Sequence, residues 1–79
     1  MPTYYVSLAV SRPVGLDNEA LMRLIHQAAE RAACVPIEVT PAGLVIEAEA
    51  VSLRALEEAL RELLREHGGE LERVTVTRI

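Results

Sequence analysis

Two histidines, one cysteine and twelve carboxylic acids are the residues of this 79-residue chain whose types could do chemistry. Brought together, they would support proton transfer, metal ligation or attack by a thiolate. Their spacing does not bring them together. His26 falls on the polar face of one helical stretch. His67 falls in the last turn of another, where an imidazole interacts well with the helix C-terminus. Cys34 stands at a helix end, away from the N-terminal dipole that would activate it, and reads as a small buried residue. The glutamates and arginines from Glu57 to Glu66 read as a solvated helix face. No catalytic residue, metal ligand or cofactor site is expected, and the chain is expected not to be an enzyme.

Composition narrows the rest. A chain of this length makes one domain, spanning residues 1–79. Phe and Trp are absent, so the core must be built from Leu, Ile, Val and Ala. Small aliphatic cores are often supplemented by disulfides, metal or oligomerisation. A single cysteine excludes an internal disulfide and a thiol-rich metal site, so a homo-oligomer is expected. The net charge of −4 argues against nucleic acid as a partner. Met1 to Ser11 has no basic leader region, and no apolar run approaches a membrane span, so a cytoplasmic protein without a membrane partner is expected. The Glu-over-Asp bias would suit a thermophile.

The elements follow from periodicity. Thr3 to Ser11 alternates as a strand, with Val6, Leu8 and Val10 on one face and Tyr5, Ser7, Ala9 and Ser11 on the other. Asp17 is placed to cap a helix, with Leu16 and Leu21 as a hydrophobic staple. Leu21, Leu24, Ile25, Ala28 and Ala32 recur at helical spacing, and the helix should end near Cys34 because Pro36 disfavours helical geometry at Val35. Ile37 to Glu49 reads as a hairpin turning at Thr40-Pro41-Ala42-Gly43. Ser52 is expected to cap a second helix with a stripe of Leu53, Leu56, Leu60, Leu63 and Leu64, ended by Gly68 and Gly69. The last strand runs from about Leu71 to Ile79.

The order β-α-β-β-α-β with right-handed crossovers predicts an α+β, ferredoxin-like fold: a four-stranded antiparallel sheet with two helices on one face. The other face then collects Tyr5, Ser7, Ala9, Glu38, Thr40, Val45, Glu47, Glu49, Arg73, Thr75 and Thr77. That mixture of acids, hydroxyls, one guanidinium and one ring is too polar for a dry core. It suits a solvated surface, a subunit interface or the wall of a ligand site.

The hairpin T-P-A-G-L-V-I-E-A-E at Thr40 to Glu49 resembles the P-M-G-T-x-I-E-G-E hairpin of the small YkoF-like thiamine-binding family. Matching features are the opening strand V-S-L-A-V, the Pro-x-Gly loop at Pro13-Val14-Gly15 and the closing G-G-E-L-E-R-V-T-V-T-R-I. The specific positions are Pro41, Gly43, Ile46 and Glu47. Ala42, Leu44 and Ala48 depart from the family's Met, Thr and Gly. The resemblance implies a non-enzymatic oligomer that binds thiamine or a related heterocyclic cation beside the sheet. Such a ligand wants a carboxylate and an aromatic face, which Glu47, Glu38, Tyr5 and Ser7 are placed to supply.

Other assignments fail on residues. Pro2 resembles the N-terminal base of the tautomerase superfamily, but Met1 before it would leave the nitrogen an amide. A heavy-metal-associated domain shares the strand order but needs a Cys-x-x-Cys pair in the first loop, which here reads S-R-P-V-G-L-D-N-E. The alternative of a different class is an interaction module docking through its sheet face or an edge strand. Ile37 to Thr40 and Val74 to Ile79 are the edges, and the last strand is expected to pair with another chain.

Overall fold

The computed structural model describes residues 1–79. Six elements follow in the order β1 (Thr3–Ser11), α1 (Asn18–Arg31), β2 (Val35–Thr40), β3 (Gly43–Glu47), α2 (Ser52–Glu66) and β4 (Glu70–Arg78). The strands form one antiparallel sheet in the order β2-β3-β1-β4. This is the ferredoxin-like α+β fold expected from the sequence. No helix is long and apolar enough to cross a membrane.

The core lies between the helices and one face of the sheet. Val6 and Leu8 of β1, Leu44 and Ile46 of β3, and Leu71 of β4 meet Leu21, Leu24 and Ile25 of α1 and Leu56, Leu60, Leu63 and Leu64 of α2. No buried charged or polar residue interrupts this layer. Each fully buried Leu or Ile contributes roughly 1.5–3 kcal/mol relative to exposure. Tyr4 also faces the helices and is buried, leaving Tyr5 as the ring on the opposite side.

Helix α1 begins as its sequence implies. The Asp17 carboxylate accepts from the Ala20 amide at 2.8 Å, and Leu16 and Leu21 are both buried. Helix α2 does not begin with a Ser52 cap. Ser52 is already helical, and the preceding residue, Val51, offers no capping side chain. The chain instead enters through a turn in which the Ser52 amide donates to the Glu49 carbonyl at 2.9 Å and the Leu53 amide to that of Ala50 at 3.2 Å. Ser52 therefore contributes no side-chain cap, because the backbone turn supplies the first bonds.

Both helices end in the same motif. At α1 the Cys34 amide reaches back to the Ala29 carbonyl at 2.9 Å and the Ala33 amide to that of Glu30 at 3.2 Å. At α2 the Gly69 amide reaches Leu64 at 2.7 Å and the Gly68 amide reaches Arg65 at 3.1 Å. These are Schellman closures, which need a left-handed residue in the middle. Gly68 supplies it at φ 80°, whereas α1 uses Ala33 at φ 59°. The helix thus stops at Arg31, a little before the boundary expected near Cys34, and Val35 already belongs to β2.

Gly43 is required for a different reason from the turn geometry that its sequence context suggested. A Cβ there would lie 2.2 Å from the Val6 carbonyl oxygen, on backbone that cannot swing away. Substitutions at these positions should change stability in opposite directions. Gly43→Ala should lower the urea midpoint by the equivalent of about 1–3 kcal/mol, because β1 and β3 must move apart. Ala33→Gly should raise stability by about 0.5–1 kcal/mol, since relief of the left-handed strain exceeds the added chain entropy. Gly68→Ala should show the opposite sign in the same measurement.

Candidate functional site

The uncovered face is built row by row by the strand register. One row holds Glu38 of β2, Val45 of β3, Tyr5 of β1 and Thr77 of β4. The next holds Val35, Glu47 and Thr3, where the Thr3 carbonyl also accepts from the Ile79 amide at 3.0 Å. On the other side lie Thr40, Gly43, Ser7 and Thr75, and beyond them Ala9 and Arg73.

The fold therefore brings the four expected ligand residues to one face. Ser7 lies two residues along β1 from Tyr5. Glu47 lies diagonal to Tyr5 across the β1–β3 pair, about 7–8 Å away at Cα and within reach of its side chain. Glu38 is two strands from Tyr5, about 10 Å, with Val45 between. Tyr5 is 39% exposed, and Glu38 is exposed beside it. Neither Glu38 nor Glu47 has a basic partner: the ion pairs are His26–Glu30, Arg54–Glu58 and Arg61–Glu57. Arg73, a candidate partner for either carboxylate, sits opposite Ala9 on β4, with β1 standing between it and both acids.

Two details depart from the sequence reading. Glu49 lies past the end of β3 and is not part of the ladder. The face is also more apolar than expected, because Val35 and Ile79 stand at the two edges of its end row, beside the row of Val45 and Tyr5, and both are well exposed. Val35 was assigned to the boundary before Pro36, and nothing in its local spacing marked it as a strand residue. Ile37, the neighbouring exposed residue, is the extra residue of a bulge between Pro36 and Glu38.

The face is open. None of the surface depressions is lined by Tyr5, Ser7, Glu38 or Glu47. The largest, about 700 Å3, lies instead at the loop between β1 and α1, against Arg12, Asp17, Asn18, Glu19 and Met22. There the Arg12 guanidinium donates to the Leu16 carbonyl at 3.3 Å and to the Asn18 side-chain oxygen. The remaining chemistry-bearing residues make contacts within the fold. His67 Nδ1 lies 3.0 Å from the Leu63 carbonyl, and His26 faces Glu30 on the exposed side of α1. Arg61 holds Glu57 and donates to the Leu71 carbonyl at 2.8 Å, fastening α2 to β4. Cys34 is buried, and desolvation pushes its thiol pKa up. No group of His, Cys, Asp and Glu is arranged to hold a metal.

No family model and no curated protein matches the chain. Among solved structures it is similar to acylphosphatase from Bacillus subtilis, with a TM-score of 0.63 and 13% identity over 100% of this chain and 86% of that one. The likeness is one of fold, and it does not bear on thiamine binding. It does correct one expectation. The chain was expected not to be an enzyme, yet the solved structure sharing its architecture carries an enzyme's name. Isolated histidines and a buried cysteine therefore do not suffice to exclude catalysis on this fold.

Burial of Cys34 has a measurable consequence. Its alkylation by iodoacetamide at neutral pH should be at least about tenfold slower in the native protein than in urea, because a buried thiol yields little thiolate. Equal rates would show that the α1–β2 junction opens freely.

Proposed function

We propose that the chain binds a small heterocyclic cation of the thiamine class on its uncovered sheet face. The observation that carries this reading is the pairing of an exposed ring, Tyr5, with two carboxylates, Glu47 and Glu38, that no basic residue neutralises. A cationic ring stacks on the tyrosine face and takes its counter-charge from the glutamates. Ser7 offers a hydroxyl beside the ring. The resemblance of the hairpin to the YkoF-like family supports the same ligand class. A flat face buries only one side of a ligand, so tight binding needs a second wall, which a second copy of the chain would provide. A lone, unpaired cysteine fits work in the reducing cytoplasm.

One observation favours a second reading, a phosphate-directed site at the β1–α1 loop. Arg12 borders the largest depression, next to the start of α1, and helix N-termini and arginine both receive phosphate oxygens. The solved acylphosphatase places such an enzyme on this fold. Against it, Arg12 is already engaged by Leu16 and Asn18, and Asp17 and Glu19 line the same depression with negative charge.

Thermal unfolding with thiamine, its pyrimidine half and its thiazole half tests the first reading. Ligand at about a hundred times its dissociation constant stabilises by ~2.7 kcal/mol, a shift of roughly 10–20 °C for a domain of this size. The shift should vanish in Glu47→Ala, with the oligomeric state unchanged. No shift with any of the three compounds would end the thiamine reading. Hydrolysis of an acyl phosphate that is lost in Arg12→Ala would move the function to the loop.

A further inference from the structure

We infer that two copies of this chain join edge to edge through β4, antiparallel and in a single register centred on Thr75, to make a continuous eight-stranded sheet. The inference stands on β4 alone and is independent of the ligand reading.

Strand β4 is nine residues long, lies at the sheet edge and is paired only with β1. Its backbone shows which groups are free. The Ile79 amide donates to the Thr3 carbonyl, so residues 79 and 3 form a hydrogen-bonded pair. In an antiparallel ladder such pairs alternate. Thr77, Thr75 and Arg73 therefore also direct their backbone groups towards β1. Val74, Val76 and Arg78 direct their N–H and C=O groups outward, where no strand meets them. The edge defences of β4, the bulge at Glu72 and the charges of Glu70, Glu72, Arg73 and Arg78, flank Val74 and Val76 without covering them, and the strand has no proline and no lysine. Val76 is 42% exposed although it lies on the helix side of the sheet, beyond the reach of the helices.

A two-fold partner must pair residues of equal parity, so few registers are open. Centred on Thr75, Val74 lies opposite Val76 of the second copy, and Val76 opposite Val74. Thr75 faces itself. Glu72 lies opposite Arg78 of the second copy, twice by symmetry, while Arg73 faces Thr77. Glu72 is the residue that the β1–β4 bulge adds, and its side chain is exposed at the edge. Moving the centre to Val76 would place Arg78 against Val74 and Arg73 against Ile79. Moving it to Val74 would place Glu72 against Val76. The Val74 register also sets Val74 against itself and Glu70 against Arg78, but it leaves the Glu72 carboxylate against Val76; the Thr75 register alone pairs both valines with valine and leaves no charge against an apolar residue. It also makes Val74 and Val76 of both copies hydrogen-bonding pairs, using the backbone groups that point outward.

The test is mass in solution by light scattering, with sedimentation for the dissociation constant. Twice the chain mass of 8.7 kDa is expected for the natural sequence, and a monomer at high micromolar concentration would overturn the inference. Val76→Pro removes an outward amide that the folded monomer does not use, so it should give a folded monomer by circular dichroism. A dimer that survives this change lies elsewhere, on the sheet face for instance, and would also overturn it. The register is tested by charge reversal. Glu72→Arg or Arg78→Glu alone should raise the dissociation constant roughly tenfold, because each change acts twice in the dimer. The double reversal should restore it. Absence of rescue would refute the Thr75 register. Dissociation should leave any thiamine response intact per chain unless Tyr5 or Glu47 is changed, so the edge and face readings fail separately.

Discussion

Both helices must pack on the same side of the sheet, and most of this structure follows from that. Each β-α-β connection is right-handed because a right-twisted strand and a right-handed helix return to the sheet only in that sense. Two such connections around one hairpin send α1 and α2 to the same face. Val6, Leu8, Leu44 and Ile46 are thereby covered, while Tyr5, Ser7, Val45 and Glu47 on the same strands are left without a partner in the chain. One-sided burial also sets the size of the core, which takes only 19 of 79 residues. With no Phe or Trp to enlarge it, the domain holds its shape through close backbone contacts as much as side-chain volume. The approach of Gly43 to the Val6 carbonyl is one of these.

The second consequence concerns the ends of the elements. The sheet is longer than the helices that cover it. At the Leu71 end of β4, Leu71 is buried, Leu64 lies above Gly69, and Arg61 donates to the Leu71 carbonyl. At the other end nothing crosses β4. Val76 and Ile79 are left to solvent with β1 as their sole neighbour strand. The chain thus has a tethered half and a free half in one strand, and the free half is β-branched except at Arg78, with Val76 and Ile79 exposed.

What the sequence made legible was set by periodicity and by local backbone chemistry. Strict alternation in β1 assigned both of its faces correctly, and the leucine spacing placed the stripe of α2. Asp17 could be read as a cap because its carboxylate acts within three residues. Ser52 carried the same signal and was misleading, because a backbone turn at Glu49 and Ala50 had already supplied the bonds. Bulges escaped altogether. One extra residue at Ile37 and another at Glu72 reset the register by contacts across strands, and no local pattern reports those. Of the candidate site, the shared face of Tyr5, Ser7, Glu38 and Glu47 was legible from strand parity. The apolar contribution of Val35 and Ile79 was not, nor was the openness of the face, which is a property of the assembled sheet. Function was the least legible. Whether a fold supports catalysis is not written in the presence of a histidine or a thiol, as the architecture shared with an acylphosphatase shows.

The uncovered face and the uncovered edge bear on each other through register. In the edge pairing centred on Thr75, Thr77 lies opposite Arg73 of the second copy. The row that holds the ring then reads Glu38, Val45, Tyr5, Thr77 and the second copy's Arg73, carboxylate at one end and guanidinium at the other. Strand spacing would put that arginine about 10 Å from Tyr5, and the two tyrosines, three strands apart and offset by four residues along the strand, about 20 Å apart on the same side of the sheet. In that pairing each ring would keep its own pair of glutamates, and the two copies would not share one site. Pairing by the edge also leaves the face flat. A wall opposite Tyr5 would then have to come from a second layer, laid over the sheet that edge pairing would double. Edge and face are thus successive demands of one constraint, since a sheet covered on one side and paired along one flank still has an open surface to bury.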